Sequence, residues 1–244
     1  MTVGYRGTRF AGWASQRRQD RPTVQATLEA ALSDVLGHPV RATAAGRTDA
    51  GVHAEAQVVS FESSAGIPAD GLRRLLPPRL PDDVWVVDAQ EAPAGFNARR
   101  AARRRWYRYA IWRDSVAPPA SWWGRCLVLP NPLDLGAMRR GAATLLGRQD
   151  LASVASASHG RRATTRTIFV ADWLDYRATP LLQFEICADA FLRHMARTIV
   201  GSLLWIGRGR WAPEQLAAAV AAADRRAAGP TAPAHGLTLH RIDY

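Results

Sequence analysis

Between two candidate strands the chain carries Ala45-Gly46-Arg47-Thr48-Asp49-Ala50-Gly51-Val52-His53-Ala54. Two glycines bracket Arg47, Thr48 and Asp49, so a tight turn there presents short polar side chains and one acid. An exposed carboxylate can serve as a nucleophile. The same residues also suit an Asx-turn, with Asp49 bonded to its own backbone and Arg47 merely paired with it. A hydrolase of nucleosides or glycosides would want a second catalytic carboxylate beside the first. Glu55 is the one acid nearby in sequence. His53 and His194 have no ligand spacing with a cysteine or carboxylate cluster, so they read as structural rather than metal-binding. Cys126 and Cys187 form no Cys-x-x-Cys pattern and imply no disulfide framework. Both fall in predicted strands, where a free cysteine is usually a small buried hydrophobe.

The elements that must hold this loop can be read from periodicity. Thr23–Leu36 is a predicted helix, with Val24, Leu28, Leu32 and Val35 on one face and Gly37 as its stop. Val40–Ala45 and Gln57–Phe61 are strand candidates on either side of the loop. A short helix over Ala69–Leu76 ends at Pro77-Pro78, and Val84–Val87 is a further strand. Arg104–Trp112 alternates as a long strand, with Arg105, Tyr107, Tyr109 and Ile111 on one face. Trp106, Arg108, Ala110 and Trp112 take the other. A helix over Leu133–Leu146 is bounded by Pro132 and Gly147. Strands over Thr167–Tyr176 and Leu181–Cys187 follow, then helices over Ala190–Ile206 and Pro213–Ala223, and a closing strand over Gly236–Tyr244. Both halves pattern as sheets packed by helices, an α+β arrangement. The basic, proline-bearing stretch from Pro93 to Arg103 is the expected boundary, giving lobes of residues 1–101 and 102–244. Ser153–Arg162 reads as a mobile basic loop rather than a joint.

All 32 basic residues are arginine, against 21 acids, for a net charge of +11 and a pI near 11.1. Such a field gathers polyanions, which makes nucleic acid the first partner to consider, although a genome bias toward arginine codons contributes too. Arg99-Arg100, Arg103-Arg104-Arg105 and Arg161-Arg162 suit phosphate contacts or a solvated face. Trp13, Trp122, Trp123 and Trp205 read as packing residues. The start lacks the apolar core of a signal peptide, and no apolar run is long enough for a membrane helix, so a cytoplasmic protein is expected.

Gly46-Arg47-Thr48-Asp49-Ala50-Gly51-Val52-His53 resembles, at all eight residues, the active-site loop of the bacterial tRNA pseudouridine synthase family that modifies positions 38, 39 and 40 of the anticodon stem-loop. Further matches keep the family's order. Tyr5-Arg6-Gly7-Thr8-Arg9-Phe10-Ala11-Gly12-Trp13 resembles its opening element, and Thr23-Val24-Gln25 with Leu28-Glu29 its first helix. Phe96-Asn97-Ala98-Arg99, Tyr107-Arg108-Tyr109, Phe191-Leu192-Arg193-His194-Met195-Ala196-Arg197 and Gly236-Leu237 also match. Three positions depart: Arg6 replaces an acid, Ala14-Ser15 interrupts Gly-Trp-Gln-x-Gln, and Asn97 stands where His is usual.

The resemblance implies Asp49 as nucleophile, Arg197 as its basic ion-pair partner and Tyr107 as the ring that stacks on the target base. It makes Arg47 an RNA-binding residue beside the nucleophile and Leu237 part of the pocket wall, with Arg99 and Phe191 as further substrate contacts. It implies a two-lobed α+β fold of mixed and antiparallel sheets flanked by helices, joined across a basic central cleft with Asp49 at its floor. Neither cofactor nor metal is expected, because the isomerisation involves no redox change and loses no group. A homodimer holding the tRNA anticodon stem-loop is expected, with no membrane. The other reading is a non-catalytic tRNA-binding or folding factor on the same scaffold.

Overall fold

Helix α1 (Val24–Leu36) shows how locally the sequence dictates structure. Thr23 caps it by accepting from Ala26 N–H at 3.2 Å, and Gly37 ends it in the left-handed conformation at φ 72°. Val24, Leu28 and Leu32 are fully buried; burying each such side chain contributes about 1.5–3 kcal/mol. The computed structural model describes residues 1–14, 20–156 and 163–244. Ser15, and the part of the Ser153–Arg162 loop that holds Arg161-Arg162, lie outside the described residues. Two compact units are present: Met1–Arg103 with Thr238–Tyr244, and Arg104–Leu237.

In the first unit, β1 (Thr2–Tyr5), β2 (Thr43–Ala44), β3 (His53–Ser60), β4 (Val84–Asp88) and the C-terminal strand (Leu237–Asp243, of which Thr238 onward belongs here) build one sheet. β1 is antiparallel to both β3 and β4, and β2 is antiparallel to β3. The C-terminal strand runs parallel to β3, pairing Thr238 with His53 and Leu239 with Ala54. The strand predicted from Gln57 therefore starts four residues earlier. His-Ala-Glu-Ala carries little β-preference of its own, and its partners, Tyr5 on one side and Thr238 and Leu239 on the other, are distant in sequence. Conversely, Val40–Ala45 forms a strand only at Thr43–Ala44. Helices α2 (Ala69–Leu75) and α3 (Ala98–Ala101) complete the unit. Asn97, the departure from histidine, caps α3 by accepting from Arg99 N–H at 3.1 Å and Arg100 N–H at 3.0 Å.

In the second unit, β5 (Arg104–Trp112), β7 (Gly147–Asp150), β8 (Thr165–Asp175) and β9 (Leu181–Ala188) form an antiparallel sheet in the order β5-β9-β8-β7. A short β6 (Leu127–Val128) runs parallel to β5. Arg105, Tyr107, Tyr109 and Ile111 are buried as their alternation predicts. Ala110 and Trp112 on the opposite face are buried too, in a cluster with Cys126 and Leu181 against which Trp122 packs. Trp123 departs from expectation: it is 67% exposed, its indole N–H donating to the Pro118 carbonyl at 2.7 Å.

Helices α4 (Leu135–Ala143), α5 (Met195–Gly207) and α6 (Glu214–Ala221) are shorter than periodicity suggests. α4 starts behind the cap Asp134, which accepts from Ala137 N–H at 2.8 Å, and Gly147 goes into β7 instead of a turn. α5 starts at Met195 rather than Ala190. Asp189 holds the preceding chain to β8: its N–H donates to Thr167 O at 3.1 Å, and its Oδ1 accepts from Thr167 N–H and Ala190 N–H. His194 then turns the chain at φ 66° into the helix. Ala190–His194 is thus a connection that leaves the end of the interior strand β9, and it carries Phe191.

Candidate active site

The Asp49 loop leaves β2 and is gripped along its length within the first unit. Gln57 Nε2 donates to Gly46 O at 2.6 Å, and Gly46 N–H donates back to Gln57 Oε1 at 3.4 Å. The Tyr5 and Thr48 hydroxyls share a hydrogen bond of 2.8 Å. Val52 N–H donates to Asp49 O at 3.1 Å. Thr48 and Val52 are buried, while Asp49 between them is half-buried and Arg47 is exposed. A turn that buries its flanks and leaves its acid partly open is suited to bring a carboxylate to a substrate.

The opening element Tyr5–Trp13 is the loop's support. Trp13 N–H donates to Thr48 O at 3.1 Å, and Trp13 O accepts from Gln25 N–H at 3.0 Å. Gly12 O accepts from Val24 N–H at 3.2 Å. Two residues therefore join the first turn of α1 to the Asp49 loop. Gly12 sits at φ 98°, and a methyl there would lie 2.7 Å from Thr48 O. At Gly7 it would lie 1.9 Å from Val52 O. Only glycine permits such approach of backbone to backbone. His53 is structural: buried, with Nδ1 accepting from Gly7 N–H at 3.1 Å. Burial pushes the Tyr5 phenol up to about 12, against hydrogen bonds to Thr48 and Gln57 that favour the anion.

In the second unit Tyr107 stands on β5 opposite Ile186 of β9, 5% exposed. Its ring meets that of Phe191 edge-on, centroids 4.7 Å apart at 68°, a favoured geometry for aromatic pairs. The sequence thus names two aromatic residues that the fold brings together. Arg197 is on the first turns of α5, half-buried. Its Nε donates to Ala232 O at 2.8 Å. Tyr109 donates its hydroxyl to Pro233 O at 2.9 Å, and a methyl at Gly236 would lie 2.5 Å from its ring. These contacts hold the segment that delivers Leu237, which is buried. Burial lowers the His235 pKa, and the charge of Arg197 lowers it further.

The arginine runs divide by burial. Arg99 and Arg100 are exposed, in the first turn of α3. In the second run Arg103 and Arg104 are exposed, and Arg104 lies 4.5 Å over the Phe169 ring. Arg105 is 9% exposed and donates to Asp189 O, so the expected phosphate contact does not extend to it. Tyr5 and Gln57 carry the loop yet have no evident chemistry of their own; only the match around Tyr5 hinted at one of them. Among the described residues no cluster of three His, Cys, Asp or Glu side chains could hold a metal, and no helix is long and apolar enough to cross a membrane.

The first unit thus offers one carboxylate from a braced turn, on an α+β fold. Residues 1–99 and 142–244 match the family model described as tRNA pseudouridine synthase, and the chain belongs to that family of isomerases acting on uridine in tRNA. Among its relatives, tRNA pseudouridine synthase A of Moorella thermoacetica is 42% identical over 244 residues, covering all of this chain and 98% of the relative. The enzyme of the same name from Oleidesulfovibrio alaskensis is 39% identical, covering all of this chain and 95% of its own. That of Bordetella petrii is 42% identical, with 100% and 90% covered.

Proposed function

We propose that the protein converts uridine to pseudouridine at positions 38, 39 and 40 in the anticodon stem-loop of tRNA, with Asp49 as the nucleophile. The observation that carries the assignment is Asp49 half-buried between the buried Thr48 and Val52, in a loop that resembles the family's active-site loop. In attack at C1′, a carboxylate oxygen bonds to that carbon as the N1–C1′ bond breaks and its electron pair stays on the uracil. The base turns, C5 bonds to C1′ and displaces the carboxylate. The C5 proton is then lost and N1 gains one. Attack at C6, or proton removal from C2′, would use the same group.

Arg197 acts as the basic ion-pair partner of Asp49. Tyr107 supplies the stacking face for the flipped base, a contribution of about 1–3 kcal/mol that offsets much of the unstacking cost. Phe191 supports that ring from its edge, Leu237 closes the pocket wall, Arg47 helps hold the flipped nucleotide, and Arg99 contacts the RNA. A homodimer in the cytoplasm, one tRNA touching both subunits, belongs to the same reading.

The test is incubation with unmodified tRNA transcript and mapping of pseudouridine through the anticodon arm. Wild type should modify positions 38 to 40, and Asp49→Ala should bind tRNA without modifying it. Wild type that binds but never modifies would make the protein a tRNA-binding factor; full activity in Asp49→Ala would remove the aspartate from the mechanism.

A further inference from the structure

Resting on the reading of Asp49 as the reacting group, the geometry points to Tyr5 and Gln57 as positioning residues that fix the main chain from Gly46 to Asp49. The β2–β3 ladder pairs Thr43 with Ser60 and Ala44 with Val59, and Ala45 N–H continues it to Val58 O at 2.9 Å. Gly46 and Gln57 are next in that register. Here a side chain replaces the main chain: one amide gives its N–H to Gly46 O and takes the Gly46 N–H on its oxygen. Gln57 is fully buried. The planar amide of Gln offers a donor and an acceptor side by side, as the Gly46 main chain does. An aliphatic residue, the ordinary choice for a strand interior, would leave both Gly46 groups without this partner.

Two residues further, Tyr5 reaches from β1, the neighbour of β3, to the Thr48 hydroxyl. Tyr5 and Thr48 are both buried, so water does not compete for the bond. Asp49 is the very next residue. The loop is therefore anchored at Gly46 and Thr48 by two side chains that themselves have no role in the chemistry. Displacement of a catalytic group by an ångström can cost as much as ~100-fold in rate, which makes such anchors kinetic rather than merely stabilising.

The test is single-turnover pseudouridine formation at saturating tRNA transcript, alongside tRNA affinity and melting temperature, on the full chain. Tyr5→Phe and Gln57→Leu should slow the first-order step by about tenfold or more while tRNA Kd stays within about twofold. Thr48→Ser, which keeps the hydroxyl, should react near the wild-type rate, and Thr48→Val should match Tyr5→Phe. The Tyr5→Phe/Thr48→Val double variant should be no slower than either single one, since both remove the same bond. Unchanged rates in Tyr5→Phe and Thr48→Val, or losses confined to affinity and melting temperature, would overturn the proposal. Should Gln57→Leu not fold, the Tyr5–Thr48 cycle decides alone. An inactive wild type would instead overturn the synthase reading beneath it, and the wild-type arm reads that separately.

Discussion

Arg197 and Ala232 exchange two hydrogen bonds: Arg197 Nε donates to Ala232 O at 2.8 Å, and Ala232 N–H donates to Arg197 O at 3.0 Å. The side chain and main chain of one helical residue are thus both fastened to one residue of the 228–237 segment. The guanidinium plane is set by the backbone.

Arg197→Lys keeps the charge and loses that plane, because lysine has no Nε to bond Ala232 O. Single-turnover rate should fall by about tenfold or more, with tRNA affinity changed far less. A Lys variant at the wild-type rate would show that only the charge matters.

His235 gives stability a dependence on pH. Burial, and then the charge of Arg197, holds its folded-state pKa below the ordinary value. Above about 6.5 both folded and unfolded chains carry a neutral imidazole, and stability is at its full value. As pH falls below that, the unfolded chain binds a proton that the folded chain resists, so stability is lost until the folded-state pKa is passed. Urea midpoints measured from pH 8 to 5 should show this fall in wild type and a smaller one in His235→Asn. Parallel curves would remove His235 as its source.

Gly12→Ala should damage the site from outside it. Its φ of 98° disfavours a side chain, and its methyl would press on Thr48 O and on Ala50 N, the latter at 3.0 Å. Strain of this kind costs about 1–3 kcal/mol. Melting temperature should drop, and the rate at saturating tRNA should drop further than stability explains. An active, fully stable variant would contradict the tight packing of these backbones.

Arg99→Ala and Arg105→Ala should part company. Arg99 is exposed, so its loss should weaken tRNA binding and reduce the slope of log K against log salt by about one. Arg105 is buried and bonded to Asp189 O, so its loss should lower the urea midpoint and leave the salt slope alone. Equal salt slopes in the two variants would refute the division.

The chemistry of this chain is more legible in its sequence than the framework that holds it. The Asp49 octet resembles the family's active-site loop and so points to the family, and β5 and α1 follow from alternation and caps that are local in sequence. Elements fixed by distant partners are not legible in this way. The first residues of β3 are set by Tyr5 on one side and by Thr238 and Leu239 on the other, and α5 starts late because Asp189 bonds to Thr167. Tyr5 and Gln57 look like ordinary strand residues, since nothing in the sequence says that their polar ends meet Thr48 and Gly46. Asn97 reads as a departure until its cap on α3 is seen; then it is a helix start.

The parallel pairing of β3 with the C-terminal strand orders events in time. His53, next to the loop, meets Thr238, and Glu55 meets His240 at 2.7 Å across 185 residues of chain. Closing so long a span is slow compared with local structure. On the ribosome, the strand that follows the aspartate loop can pair with β1 early, Ala54 meeting Tyr5, but its other edge has no partner until residues 238–243 have emerged. Local structure around Tyr5, Trp13 and Gln57 can assemble early, but the strand beside the Asp49 loop should be paired on both edges only after residues 238–243 have emerged.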